Sequence, residues 1–284
     1  MTNPPLWKAW VALTKSEAAD AAAALELGSA PQAVLIVEEP FADGAVVEAL
    51  YTDRPDAAYL TRVTGLEVKV EALPDQDWIK LSQQGLPPVR AGRFFVYGAH
   101  DAGRVPHGVI PIKIEAGLAF GTGHHETTAL CLGALSDLAR RRSFRNVLDL
   151  GTGTGLLAIG AAKLWKRRVL ASDIDPVAVE VTRDNARANG VAPLVAAFTA
   201  DGLTHPILSN AAPYDLLIAN ILAGPLTQLA PAIQKALAPG ATLLLSGLLT
   251  NQEKLVTSFY GDLRYVGARR SGPWSALVLE KPSR

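Results

Sequence analysis

Cys131 is the only cysteine in this 284-residue chain, so no internal disulfide can form and a reducing compartment fits. Its neighbours in ALCLGAL are apolar, so it reads as a small buried hydrophobe, with a nucleophilic thiol as the alternative. An excess of either charge is also lacking: 27 Lys and Arg balance 27 Asp and Glu, for a formal net charge of +0. That balance removes the general electrostatic case for a nucleic-acid or anionic-membrane partner. Two basic runs, Arg140 to Arg142 with Arg145 and Lys166 to Arg168, read as solvated helix ends or partners of helix dipoles. The N-terminus, MTNPPLWKAW, has prolines where a signal peptide needs a basic segment. The longest uncharged run, 216–234, is broken by Asn220, Gly224, Pro225, Gln228 and Pro231, so it fails as a membrane span. These absences point to a globular cytoplasmic protein with no membrane partner.

Periodicity divides what remains into two parts. In residues 1–73, LWKAWVAL, QAVLIVEE, VVEALYTD and LEVKVEAL alternate or run apolar like strands. Between them lie two helical stretches, SEAADAAAALELG with Ser16 as candidate cap and RPDAAYLTRVTG ending at Gly65. The order β-α-β-β-α-β predicts a ferredoxin-like α+β domain. Residues 74–90 mix proline, glycine and glutamine around a short helical stretch and read as a linker. From 91 to 284, two strand-like stretches and a helix over 127–142 are followed by strict strand-helix alternation. That pattern predicts a mostly parallel, Rossmann-like sheet covered on both faces, closing on two strands at an antiparallel edge.

Two glycine-rich stretches stand out, GLAFGTGHHETT at 117–128 and LDLGTGTGLLA at 148–158. In an open parallel sheet, glycines in the first strand-to-helix turn let backbone approach a ligand lying beyond the strands' carboxyl ends. Gly151, Gly153 and Gly155 occupy that turn. Asp173, at the end of the next strand, is placed to accept from ribose hydroxyls. The spacing of Gly153, Gly155, Ala158 and Asp173 also satisfies the dinucleotide fingerprint, which keeps a nicotinamide dehydrogenase open. Asp149 argues the other way: a buried carboxylate beside a pyrophosphate is repelled, whereas a sulfonium with an ammonium group matches it. A structural carboxylate capping nearby amides is the plain alternative for Asp149. Asp201, after the third strand, can accept from an adenine amino group or be an ordinary loop aspartate. Asn220, ending the fourth strand, offers an uncharged amide to orient an incoming amine. The spelling of the first stretch, with His124, His125 and Glu126, invites a metal site. Adjacent histidines point apart, though, and no further ligand stands at a suitable spacing.

The runs GLAFGTGHHETTALCL, VLDLGTGTGLLAIGAAKL, SDIDPVAVEVTRDNARANGV, ANILAGPL and LLLSGLL, in this order over most of 117–248, resemble the ribosomal protein L-eleven methyltransferase family. These are class I S-adenosylmethionine-dependent enzymes that methylate amino groups of a large-subunit ribosomal protein. The resemblance implies a mostly parallel seven-stranded methyltransferase domain over 91–284, a substrate-recognition domain over 1–73, and a monomer. It further implies that Thr128, Gly151, Asp173 and Asn220 contact S-adenosylmethionine, with Asn220 closest to the transferred methyl. Gly153, Asp149 and Asp201 join them from the residue reading. His124 and Glu126 replace threonine and proline of the commoner family spelling, and Gly121 and Gly123 read as part of a lid over the cofactor. Methylation of RNA or of a small molecule is the alternative within the methyltransferases.

Overall fold

The computed structural model describes residues 7–29, 31, 33–38, 43–72, 88–114 and 125–283. Two compact units meet in sequence between Trp78 and Ile79. The first contains β1 (Trp7–Thr14), α1 (Lys15–Ser29), β2 (Ala33–Glu38), β3 (Gly44–Tyr51), α2 (Ala57–Thr64) and β4 (Lys69–Ala72). The strands pair antiparallel in the order β2-β3-β1-β4, the expected ferredoxin-like plan. Alternation explains the layering: β3 buries every second residue, and Ala9, Val11, Val47 and Ala49 pack with Leu25 and Leu60 of the helices. On the opposite sheet face Lys8 bridges Glu48 and Glu71, each at 3.1 Å. The local signals act as their chemistry requires at α2, where Asp56 accepts from the Ala58 amide at 2.9 Å and Gly65 caps with φ 71°. At α1 the start falls one residue before the expected Ser16 cap. Glu17 reaches back to the Thr14 amide at 3.2 Å, half of a capping box.

Residues 74–87 of the expected linker lie outside the described residues, and its last two, Val89 and Arg90, belong instead to a strand, β5 (Val89–Ala91). With β6 (Phe94–Tyr97) and β7 (Ile110–Lys113) it forms a small sheet. Asn189 ties this sheet to the end of the helix over 176–188, accepting from the Lys113 amide at 2.9 Å and donating to the Lys113 carbonyl at 2.6 Å.

The second unit is built on seven strands: β8 (Val147–Leu150), β9 (Val169–Asp173), β10 (Val195–Thr199), β11 (Tyr214–Asn220), β12 (Leu237–Leu249), β13 (Arg264–Ser271) and β14 (Trp274–Glu280). Their order is β10-β9-β8-β11-β12-β14-β13. The first five are parallel, and β14 inserts antiparallel between β12 and β13. The antiparallel edge expected from the sequence is thus a hairpin whose second strand lies inside the sheet. Strand order reverses between β8 and β11, the switch point at which such sheets bind ligands. Helices α3 (His125–Arg141), α4 (Leu156–Trp165), α5 (Pro176–Ala188), α6 (Pro206–Ala211), α7 (Ala223–Ala236) and α8 (Glu253–Ser258) accompany it. One apolar layer joins α3 and α4 to one sheet face through Leu132, Leu135, Ile159 and Ile218. A second joins α7 to the other face through Leu217, Leu226, Ile233 and Leu243. Among the described residues no helix is long and apolar enough to cross a membrane.

Candidate functional site

The carboxyl ends of β8, β9 and β11 bring the predicted residues of the second glycine loop together. After β8 the chain turns through Gly151, Gly153 and Gly155, all left-handed, with φ of 71°, 57° and 80°. The Gly151 and Thr152 amides donate to the Ser172 carbonyl at 2.8 and 2.9 Å, pinning the turn to β9. From α5, the Thr182 hydroxyl donates to the Gly153 carbonyl at 3.0 Å, and the Asn185 amide to the Thr154 carbonyl at 2.9 Å. Thr182 and Asn185 lie one turn apart on a buried face; the sequence gives their helical spacing but not their target.

Asp173 stands where the sequence places it, at the end of β9. Its Oδ2 accepts from the Gly153 amide at 2.8 Å and its Oδ1 from the Asp175 amide at 3.1 Å. Each oxygen keeps a lone pair for a further donor such as a hydroxyl. Beside it Ile174 is 70% exposed, an apolar surface that the sequence reading missed. Asp201, after β10, is exposed; its backbone carbonyl accepts from the Thr204 amide at 3.3 Å.

Asp149 is 1% exposed, and its Oδ2 accepts from the Thr152 hydroxyl at 2.7 Å and from the Ala158 amide at 3.0 Å. Its Oδ1 is buried without a donor among the described residues. Burial pushes the carboxyl up to about 6; the bonds from Thr152 and Ala158 oppose that rise, and the charge of Asp173 adds to it. Ala158 is in the first turn of α4, so Asp149 already occupies an amide of the helix start that a pyrophosphate would use. The capping role that the sequence left open is therefore real for one oxygen, while the other has no such partner among the described residues.

Asn220, at the end of β11, donates from Nδ2 to the Thr128 hydroxyl of α3 at 3.3 Å. Its Oδ1 is buried without a donor among the described residues. Ile218 pairs in register with Asp149, so Asn220, two residues on, projects from the same sheet face as Asp149. Two buried acceptors lacking donors among the described residues thus share one side of adjacent strands. Ile221, the next residue, is held from both sides. A Cβ on Gly151 would lie 2.2 Å from Ile221 Cγ2, and one on Gly247 would lie 2.4 Å from the Ile221 carbonyl oxygen. Gly247, left-handed at φ 82°, sits in a register shift between Leu245 and Leu248 of β12, a bulge that brings this strand against the end of β11. The LLLSGLL run shows the glycine but not this contact, which joins backbone far apart in sequence.

The first glycine stretch, including Gly121, Gly123 and His124, lies outside the described residues. His125 opens α3 and Glu126 is exposed in its first turn. Among the described residues no group of three or more His, Cys, Asp or Glu is arranged to hold a metal ion.

A seven-stranded sheet of this order, with a glycine turn after its first strand and an acid ending the next, is that of the class I methyltransferases. A solved ribosomal protein L11 methylase from Lactobacillus delbrueckii subsp. bulgaricus superposes with a TM-score of 0.62 at 27% identity, covering 69% of this chain and 100% of that one. The family model for ribosomal protein L11 methyltransferase (PrmA) matches residues 17–282, and the chain belongs to that family. Among its relatives, the ribosomal protein L11 methyltransferase of Mesorhizobium japonicum is 49% identical over 94% of this chain and 96% of its own length. That of Chelativorans sp. is 52% identical over 78% of each chain.

Proposed function

We propose that this chain transfers methyl groups from S-adenosylmethionine to lysine or N-terminal amino groups of a large-subunit ribosomal protein, the L11 protein named for its relatives. One observation carries the cofactor assignment: among the described residues, Asp149 Oδ1 and Asn220 Oδ1 are buried without donors on one face of the switch point. An ammonium and a neighbouring amine supply the donors that these acceptors need, which a pyrophosphate cannot. With the Ala158 amide taken by Asp149, the same geometry disfavours the dinucleotide reading. Asp173 and Asp201 are assigned to the ribose and adenine ends, Gly151 and Gly153 to the loop that lets the ligand approach, and Thr128 to holding Asn220.

When bound, S-adenosylmethionine supplies an electrophilic methyl on a sulfonium. The attacking amine must be neutral, and a free lysine with a pKa near 10.4 is neutral about once in ~2,500 molecules at pH 7, a penalty of roughly 4.6 kcal/mol. Water exclusion beside the buried ends of β8 and β11 lowers that penalty, because an apolar site disfavours the ammonium. Asn220 Oδ1 accepts an N–H of the neutral amine and aims its lone pair without protonating it. No strong base is required, and the departing proton goes to water.

The N-terminal module, residues 1–73, is assigned to substrate recognition, with 74–88 as linker, and the enzyme to the cytoplasm as a monomer. Incubation of the full chain with radiolabelled S-adenosylmethionine and purified L11 protein tests the reaction. Label in the protein's amino groups is expected; label confined to RNA overturns the substrate. Calorimetric titration with S-adenosylmethionine and with NAD tests the cofactor, and heat from NAD alone overturns it.

A further inference from the structure

The basic runs of the sequence converge at the amino-terminal edge of the main sheet, opposite the glycine loop. Val147 of β8 and Val169 of β9 pair in register, so Arg145 and Arg167, each two residues earlier, enter the sheet side by side. Phe144 meets Trp165 edge-on with ring centroids 5.0 Å apart, which fixes the end of α4 against the segment after α3. The Arg142 guanidinium lies 4.4 Å over the Phe144 ring. Two cavities flank the end of α3. One, of about 240 Å³, is lined by Arg141 and Arg269, and the other, of about 260 Å³, by Arg142, Arg264 and Lys281.

The nearby acids are already engaged. Asp137 pairs with Arg269, Glu280 pairs with Arg264, and Asp215 accepts the Arg145 and Asn146 amides at 2.8 and 3.0 Å. Arg141, Arg145, Lys166, Arg167 and Arg168 are exposed and have no acidic partner among the described residues. Two helix ends, worth about half a negative charge each, cannot account for that many cations. Lys166 also holds the left-handed cap of α4 at φ 53°, a conformation in which glycine or asparagine is usual.

We propose that this rim is a docking surface for the phosphate backbone of RNA, remote from the methyl-transfer site and on the same domain. Guanidinium groups dominate it, and their planar forks match phosphate oxygens in pairs. Phe144 is wholly buried and Trp165 packs on it, so the rim's aromatic groups are not free to insert among lipid chains. The choice of RNA as the polyanion rests on the reading that the substrate is a ribosomal protein.

Fluorescence anisotropy of a labelled RNA hairpin of about 20 base pairs, with the full-length protein, tests the proposal. Binding is expected to weaken steeply between about 50 and about 200 mM salt. The double reversals Arg167→Glu with Arg168→Glu, and Arg141→Glu with Arg145→Glu, are each expected to weaken it roughly tenfold or more. Reversal of Arg54 and Arg62, on the other unit, is expected to change it less than about twofold. Methyl transfer to the free protein substrate stays unchanged in the Arg167/Arg168 variant, which also reports that the domain is folded. Hairpin binding that survives both rim reversals overturns the proposal, as does tighter binding to polyglutamate or to phosphatidylserine vesicles than to the hairpin. Failure of methyl transfer with hairpin binding intact overturns the substrate reading and removes the case for RNA over other polyanions, but not the anion-binding surface.

Discussion

The Asn220 side chain spans from β11 to α3, donating to the Thr128 hydroxyl at 3.3 Å while its carbonyl oxygen remains buried without a donor among the described residues. One bond therefore sets which end of the amide faces the ligand side. An acceptor aimed in this way can orient an amine but cannot protonate it.

Replacing Asn220 with alanine is expected to lower the methyl-transfer rate about 100-fold or more, since misplacement of the attacking group is costly. Affinity for S-adenosylmethionine is expected to change by only a few-fold, roughly 1 kcal/mol. Single-turnover transfer alongside calorimetry checks this, and wild-type turnover would sink the assignment.

Thr128→Val removes the hydroxyl partner and frees the amide to rotate. A drop of about tenfold in kcat with a smaller change in KM for the cofactor is expected. Thr128→Ser is expected to restore most of it. Steady-state kinetics on the three proteins decide whether the hydroxyl, rather than the side-chain volume, is what matters.

Asp149 gives a pH signature. Burial raises its carboxyl from the ordinary 3.8 to about 6, so the folded chain binds this proton more tightly than the unfolded chain. Its contribution to stability is therefore fully present below about 4, declines as pH rises towards about 6, and is flat above that. In the Asp149→Asn variant this component is absent, which thermal unfolding across the window would reveal as a difference from wild type. Affinity for the cationic cofactor has the opposite sense. It is expected to rise between about pH 5 and pH 7 in wild type, as the carboxylate ionises, and to stay level in the variant.

Gly247→Ala would put a methyl group 2.4 Å from the Ile221 carbonyl oxygen, at a left-handed residue. Backbone atoms cannot rotate out of the way, so a loss of about 1–3 kcal/mol in stability is expected, with a fall in kcat as Asn220 moves. Gly267→Ala, where a Cβ meets nothing within 4 Å, serves as the tolerated control. Denaturant titration of both variants distinguishes them.

Cys131 is wholly buried, and burial pushes its thiol up to about 12. Iodoacetamide is expected to label it only after unfolding; rapid labelling of the folded protein would revive the nucleophile alternative.

Much of the architecture was legible because each local signal agrees with the tertiary fold. Asp56 and Gly65 bracket a helix, and the apolar runs of β8, β9 and β11 read as strands because both their faces are covered. Errors gather where tertiary pairing overrides local pattern. The stretch ending at Gly240 reads as helix throughout, yet α7 stops at Ala236 because Leu237 pairs with Tyr214 at the start of β12. The three residues of β5 are too few to show a period, and the six of α6, capped by His205, also passed unread. No pattern in the sequence could place β14 inside the sheet. In the candidate site, Asp149 and Asn220 were identifiable as polar residues ending apolar strands. Their partners were not, because the Ala158 amide and the Gly247 contact depend on backbone that only folding brings close.

The charge balance of the whole chain conceals a separation along the strand direction. Asp173, Asp175 and Asp201 lie at the carboxyl edge of the sheet, and the arginines around Phe144 lie at the amino edge. Within the second unit, a cationic ligand and a polyanion would therefore meet opposite ends of the same strands, and neither would block the other's approach.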